Sequence, residues 1–64
     1  MKKSTEDKIN LIKKVLQITG KYTYIITDNE PYMQDPTERK EVLNYWRNHG
    51  FRIHHRRHLG YVLT

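Results

Sequence analysis

Residues 35–63 read DPTERKEVLNYWRNHGFRIHHRRHLGYVL, and this stretch decides the fold. It opens on the clearest helix start in the chain. Asp35 is a good N-cap, Pro36 suits the first helical position, and Glu38 completes a capping box. Gly50 falls just past the helix end with His49 as the C-cap, and in a Schellman ending Phe51 packs back on Trp46. Within helix 36–49, Val42, Leu43 and Trp46 form the inward stripe, while Arg39, Lys40, Asn44, Tyr45, Arg47 and Asn48 point outward or sideways. Phe51, Ile53 and His55 then alternate with Arg52, His54 and Arg56, giving a strand with one mixed and one polar face. Gly60 marks a turn or bulge, and Tyr61-Val62-Leu63-Thr64 returns as a second strand. The unit is a helix followed by a hairpin.

Upstream, Tyr22 to Thr27 are all β-branched or aromatic and predict a strand. Asp28-Asn29-Glu30-Pro31 interrupts it, so residues 28–35 are expected to be a loop, or a loop holding one helical turn. The first element is predicted as a helix over 5–19, capped by Ser4 with Asp7 as reciprocal partner and closed by Gly20. Its apolar stripe is Ile9, Ile12, Leu16 and Thr19, widened by Leu11, Val15 and Ile18. Residues 1–4 are expected to fray. The predicted architecture is one small α+β domain over 1–64, α-β-α-β-β, with two helices on a three-stranded antiparallel sheet.

Sixty-four residues bury only a thin core, so a large enzyme is excluded, and the absence of cysteine excludes a disulfide scaffold. No segment is long and apolar enough for a membrane span, and no leader pattern follows Met1-Lys2-Lys3, so the cytoplasm is the expected compartment. Twelve Lys and Arg against seven acids leave a net charge of +5. That excess is not spread evenly. Residues 1–38 hold six lysines balanced by six acids, whereas 39–64 hold Arg39, Lys40, Arg47, Arg52, Arg56 and Arg57 against Glu41 alone. Every arginine and every histidine lies in the second half. Arginine suits phosphate and base edges better than lysine, which makes nucleic acid the leading partner.

Val42-Leu43-Asn44-Tyr45-Trp46-Arg47-Asn48-His49-Gly50-Phe51-Arg52-Ile53, running on to Leu59-Gly60-Tyr61-Val62-Leu63, resembles the recognition helix and wing of winged-helix DNA-binding domains of the biotin-repressor-like kind. It is a reduced form, without a clear middle helix before Asp35. The resemblance implies that Arg39, Lys40, Asn44, Arg47 and Asn48 face the major groove or flanking phosphates. It implies in turn a wing built from Arg52, Arg56, Arg57 and His58. The function implied is that of a small transcriptional regulator, or an excisionase-like or architectural factor, on duplex DNA.

Other chemistries have weaker sequence support. His49, His54, His55 and His58 lie close together, but adjacent histidines on a strand point to opposite faces and no thiolate or carboxylate joins them, so no metal is expected. No nucleophile, phosphate-loop or cofactor motif is present, and the chain reads as a non-enzyme without cofactor. The rival class is a small phage or mobile-element protein that binds a host protein such as transcription machinery. Its interface would use Tyr32, Met33 and Tyr45. A homodimer is compatible with so small a module, although no heptad marks an interface.

Overall fold

The computed structural model describes residues 1–64, in the order α1 (Lys3–Thr19), β1 (Tyr24–Ile26), α2 (Pro31–Gln34), α3 (Pro36–Asn48), β2 (Ile53–Arg56) and β3 (Gly60–Leu63). The strands form one antiparallel sheet in the order β1-β3-β2, so the last strand is central. This is the expected α+β class. No helix is long and apolar enough to cross a membrane.

Helix α3 follows its punctuation closely. Asp35 accepts a hydrogen bond from the Thr37 N–H at 2.9 Å, with Pro36 at the first helical position. At the other end the Gly50 N–H donates to Arg47 and the Phe51 N–H to Trp46, each at 3.1 Å, which is the Schellman pattern. Phe51 meets Trp46 edge-to-face at 5.4 Å, as expected of the contact that closes such an ending.

Glu38 departs from expectation. Instead of closing a capping box, its carboxylate is buried against α1, where it accepts from the Thr5 hydroxyl at 2.8 Å and the Lys2 N–H at 3.2 Å. A few ångströms along, the amino-terminal ammonium lies 2.9 Å from Glu41, whose hydrogen bond and charge hold its pKa above the usual value. These contacts reposition the start of α1. The helix begins at Lys3, Lys2 is the N-cap without a side-chain bond, Ser4 lies inside the helix, and Met1 and Lys2, where fraying was expected, bond to Glu41 and Glu38 of α3.

The inward face of α1 is Thr5, Ile9 and Ile12 with half-buried Leu16. Leu11 (53% exposed), Val15 (38%) and Ile18 (85%) do not join it. At about 100° per residue they lie roughly 120° around the helix from that face, and one neighbouring layer covers a narrower arc than both stripes span. Thr19 is also outside the core, its hydroxyl donating to the Val15 carbonyl at 2.7 Å. The core proper joins Ile9 and Ile12 to Val42, Leu43 and Trp46 of α3, and to Ile26 and Leu63 of the sheet. Trp46 Nε1 is buried there without a hydrogen-bond partner.

Tyr32 and Met33 complete this core from α2, at 5% and 2% exposure. They were expected at a protein interface and are not available for one. The single turn of α2 inserts them beneath α3, because Pro31 starts a helix at its first position instead of merely breaking the chain. Burial, with help from the charge of Glu30, pushes the Tyr32 phenol up to about 12 from 10.0. The unfolded chain releases this proton first, so stability is full below about pH 10 and falls as pH rises towards 12, by about 2 kcal/mol. Tyr32→Phe is expected to lose less stability than wild type across that window. Urea midpoints measured on both from pH 9 upward check it, and parallel curves would refute it.

Candidate nucleic-acid interface

The outward arc of α3 is built by helical spacing. Lys40, Asn44, Arg47 and Asn48 are all exposed and, at about 100° per residue, share an arc of roughly 100° opposite Val42, Leu43 and Trp46. Thr37 falls on the same arc and is exposed. It was not singled out from sequence, although its spacing from Lys40 and Asn44 would have placed it there. Arg47 donates through Nη1 to Asn44 Oδ1 at 3.4 Å, so the two side chains that can read base edges lie side by side.

Arg39 does not belong to this surface. It sits on the inward side of α3 beside α2, half-buried, and its guanidinium donates to the Met33 carbonyl at 3.2 Å. Position 39 is three residues from Val42 and four from Leu43, so helical geometry places it with the core stripe. Its role is to hold α2 against α3.

Of the two acids of α3, Glu38 is turned away from the arc, whereas Glu41, seven residues before Asn48, lies at its margin and is paired with the amino-terminal ammonium. Glu38 is buried on Thr5 and Lys2, and Glu41 is half-buried at the amino terminus. The exposed arc therefore carries cations and amides, with one carboxylate, Glu41, at its margin and neutralised by the amino-terminal ammonium.

The second basic patch is the hairpin. Arg57 and His58 form its tip, where the Leu59 N–H donates to the Arg56 carbonyl at 3.2 Å and His58 takes φ 69. Arg52 and Arg56 project, by strand alternation, from the sheet face opposite Ile53 and Leu63, and His54 lies between them. The four hairpin residues named from sequence are all exposed, but two of them, Arg52 and Arg56, stand on the side away from the helices.

No family model, curated protein or solved structure matches this chain.

The remaining histidines serve local packing. His49 stacks on Tyr45 at 4.1 Å and its Nδ1 donates to the Tyr45 carbonyl at 2.8 Å, which fixes its proton on that nitrogen. His55 stacks on Tyr61 at 4.4 Å with Nε2 3.6 Å from Asp28. No three His, Asp or Glu side chains converge as a metal-binding group. Tyr45, the third residue considered for a protein interface, is half-buried, edge-to-face with Trp46 at 5.1 Å and with Lys13 Nζ 5.8 Å from its ring centre.

Proposed function

We propose that this protein is a small non-enzymatic DNA-binding module that docks α3 in the major groove of duplex DNA and touches the backbone with the hairpin tip. The observation that carries this reading is the exposed outer arc of α3, where Lys40, Asn44, Arg47 and Asn48 stand together while Glu38 is buried on Thr5 and Glu41, at the arc's margin, is paired with the amino-terminal ammonium. Lysine and arginine at such an arc neutralise phosphates, and Asn44, held beside Arg47, offers the amide that an adenine edge pairs with. The order helix, strand, helix, helix, strand, strand supports a winged-helix reading, with α2 and α3 joined through Asp35 alone and α2 cut to one turn. Such a module would act in the cytoplasm as a regulator or architectural factor. The protein-capture alternative is weakened by the burial of Tyr32 and Met33.

Arg39 is committed to Met33 and Arg52 stands at the far base of the hairpin, which leaves Lys40, Arg47, Arg56 and Arg57 as phosphate contacts. Four contacts give a log–log salt slope of about −3.6. Gel-shift titration against duplex at several salt concentrations measures it. Absence of binding at about 50 mM salt, where such contacts are strongest, would overturn the reading.

A further inference from the structure

The sheet ends on one side at β1, and the carboxy-terminal half of α1 borders that edge. Val15 shares a surface groove there with Tyr24 and Ile25. At about 100° per residue, Leu11 and Ile18 lie within about 60° of Val15 on the helix, so all three apolar side chains that α1 leaves outside the core face this side. Ile25 alternates with the buried Ile26 and is 45% exposed. The four aliphatic side chains form one exposed patch across helix and strand, of the kind that marks an interaction surface when polar residues rim it. Backbone groups are open here too. Arg52 and Thr64 exchange both backbone hydrogen bonds, at 3.0 and 2.9 Å. Ladder alternation then directs the bonds of Tyr61 and Leu63 to Ile26 and Tyr24, which leaves the N–H and C=O of Ile25 facing away from the sheet.

The rim of this patch is basic. Lys8 and Lys14, both exposed, border the helix strip on opposite sides, about 20° beyond Val15 and about 40° beyond Ile18. Lys21, also exposed, lines the groove at its far end. Between Asp7 and Asp28 the chain holds four lysines and no acid, and the fourth, Lys13, is turned to the Tyr45 ring on the other side of α1. Asp28 is drawn towards His55 at 3.6 Å, and Asp7, one turn before Leu11, marks the end of the patch. The kind of cation says what this surface suits. Lysine is depleted at protein–protein interfaces, where arginine is enriched, and every arginine of this chain lies elsewhere. A lysine stem can instead lie along apolar surface while its ammonium reaches an anionic headgroup.

We propose that the α1–β1 side docks on an anionic membrane surface, with Leu11, Ile18 and Ile25 at the headgroup boundary and Lys8, Lys14 and Lys21 on the lipid phosphates. The chain lies on the bilayer and does not cross it, since no helix is long and apolar enough to do so. The open N–H and C=O of Ile25 set the depth, because they need the water that the headgroup layer holds and the hydrocarbon does not. Each lysine held near an anionic surface strengthens binding about fivefold. Anchoring of this kind is reversible, as the apolar patch is small and the charge contribution is screened by salt.

The patch shares no residue with the α3 arc or the hairpin tip, so this docking is independent of DNA binding and is tested on the chain with lipid alone. Flotation with phosphatidylcholine vesicles containing about 30% phosphatidylglycerol, against pure phosphatidylcholine vesicles, measures it at about 50 mM salt and above. Partition onto the anionic vesicles should be at least about tenfold the stronger, and should fall as salt rises. Ile18→Gln should lower it about tenfold with the unfolding transition unchanged, because Ile18 is 85% exposed and outside the core. Lys14→Gln with Lys21→Gln should lower it about thirtyfold. Arg47→Gln with Arg57→Gln removes the same charge from another side of the molecule and should lower it less than about threefold. Absence of binding to the anionic vesicles overturns the proposal. So does binding that Ile18→Gln leaves unchanged, or binding that the arginine pair abolishes as fully as the lysine pair, which would place the lipid on the arginine surface instead.

Discussion

Gly60→Ala is expected to destabilise the fold by more than about 3 kcal/mol, a large share of the stability of a domain this small. Gly60 sits where the central strand β3 begins, buried, with φ 121. A Cβ there would run into the Ile26 carbonyl oxygen and lie 2.8 Å from the Thr27 Cα, both backbone atoms of β1. Backbone in a paired strand cannot step aside as a side-chain end would. The β1–β3 pairing, which carries Ile26 and Leu63 into the core, must separate or shift. Gly50 is the matched control, since it has φ 89 and open space around its missing Cβ. Gly50→Ala meets only the left-handed backbone penalty, about 1 kcal/mol. Urea unfolding followed by the fluorescence of Trp46, the single tryptophan, compares the two. Equal losses would show that the close approach to β1 does not matter.

The second large effect concerns binding. Replacing Lys40, Arg47, Arg56 and Arg57 together by alanine is expected to lower duplex affinity about a thousandfold at 0.15 M salt and to flatten the salt slope almost completely. The magnitude follows from four released counterions at about 0.9 each, extrapolated to 1 M salt, where the ionic contribution vanishes. All four side chains are exposed, and none makes a contact the fold depends on, so the unfolding transition should hardly move. Removing only Arg56 and Arg57 should take away half of the slope and leave sequence preference intact. Asn44→Ala should do the reverse, keeping the slope and altering the preferred site. Salt-dependent fluorescence anisotropy and binding-site selection measure these quantities. Full affinity in the fourfold variant would remove α3 and the hairpin tip from the interface.

These two results test different parts of what could be read in the chain. The clearest signals were local ones. Asp35-Pro36 and His49-Gly50-Phe51 delimit α3 because caps are formed by groups within a few residues of one another. The alternation of residues 51–56 located the hairpin for the same reason. The outward direction of Lys40, Asn44, Arg47 and Asn48 followed from helical spacing once Val42, Leu43 and Trp46 were taken as core.

Contacts between distant segments were not legible. Glu38 looked like a capping residue, yet its partners Thr5 and Lys2 are 33 and 36 positions away, and their hydrogen bonds outcompeted the local one. Arg39 looked like its neighbour Lys40, and only the docking of α2 explains its bond to Met33. Tyr32 and Met33 seemed free because a proline-bounded loop gives no sign of what will cover it. On α1 two apolar stripes competed for one layer, and composition alone could not say that Leu11, Val15 and Ile18 would be left outside.

Sequence by itself determined the α+β class, the limits of α3, the hairpin, and the concentration of all arginine in residues 39–64, since each depends on spacing or on counting. The tertiary structure decided which of those charges face solvent together, why position 60 must be glycine, and which strand edge is left unpaired. Each of these turns on how two distant backbone segments approach, and free energies of that kind are set by packing rather than by any local pattern.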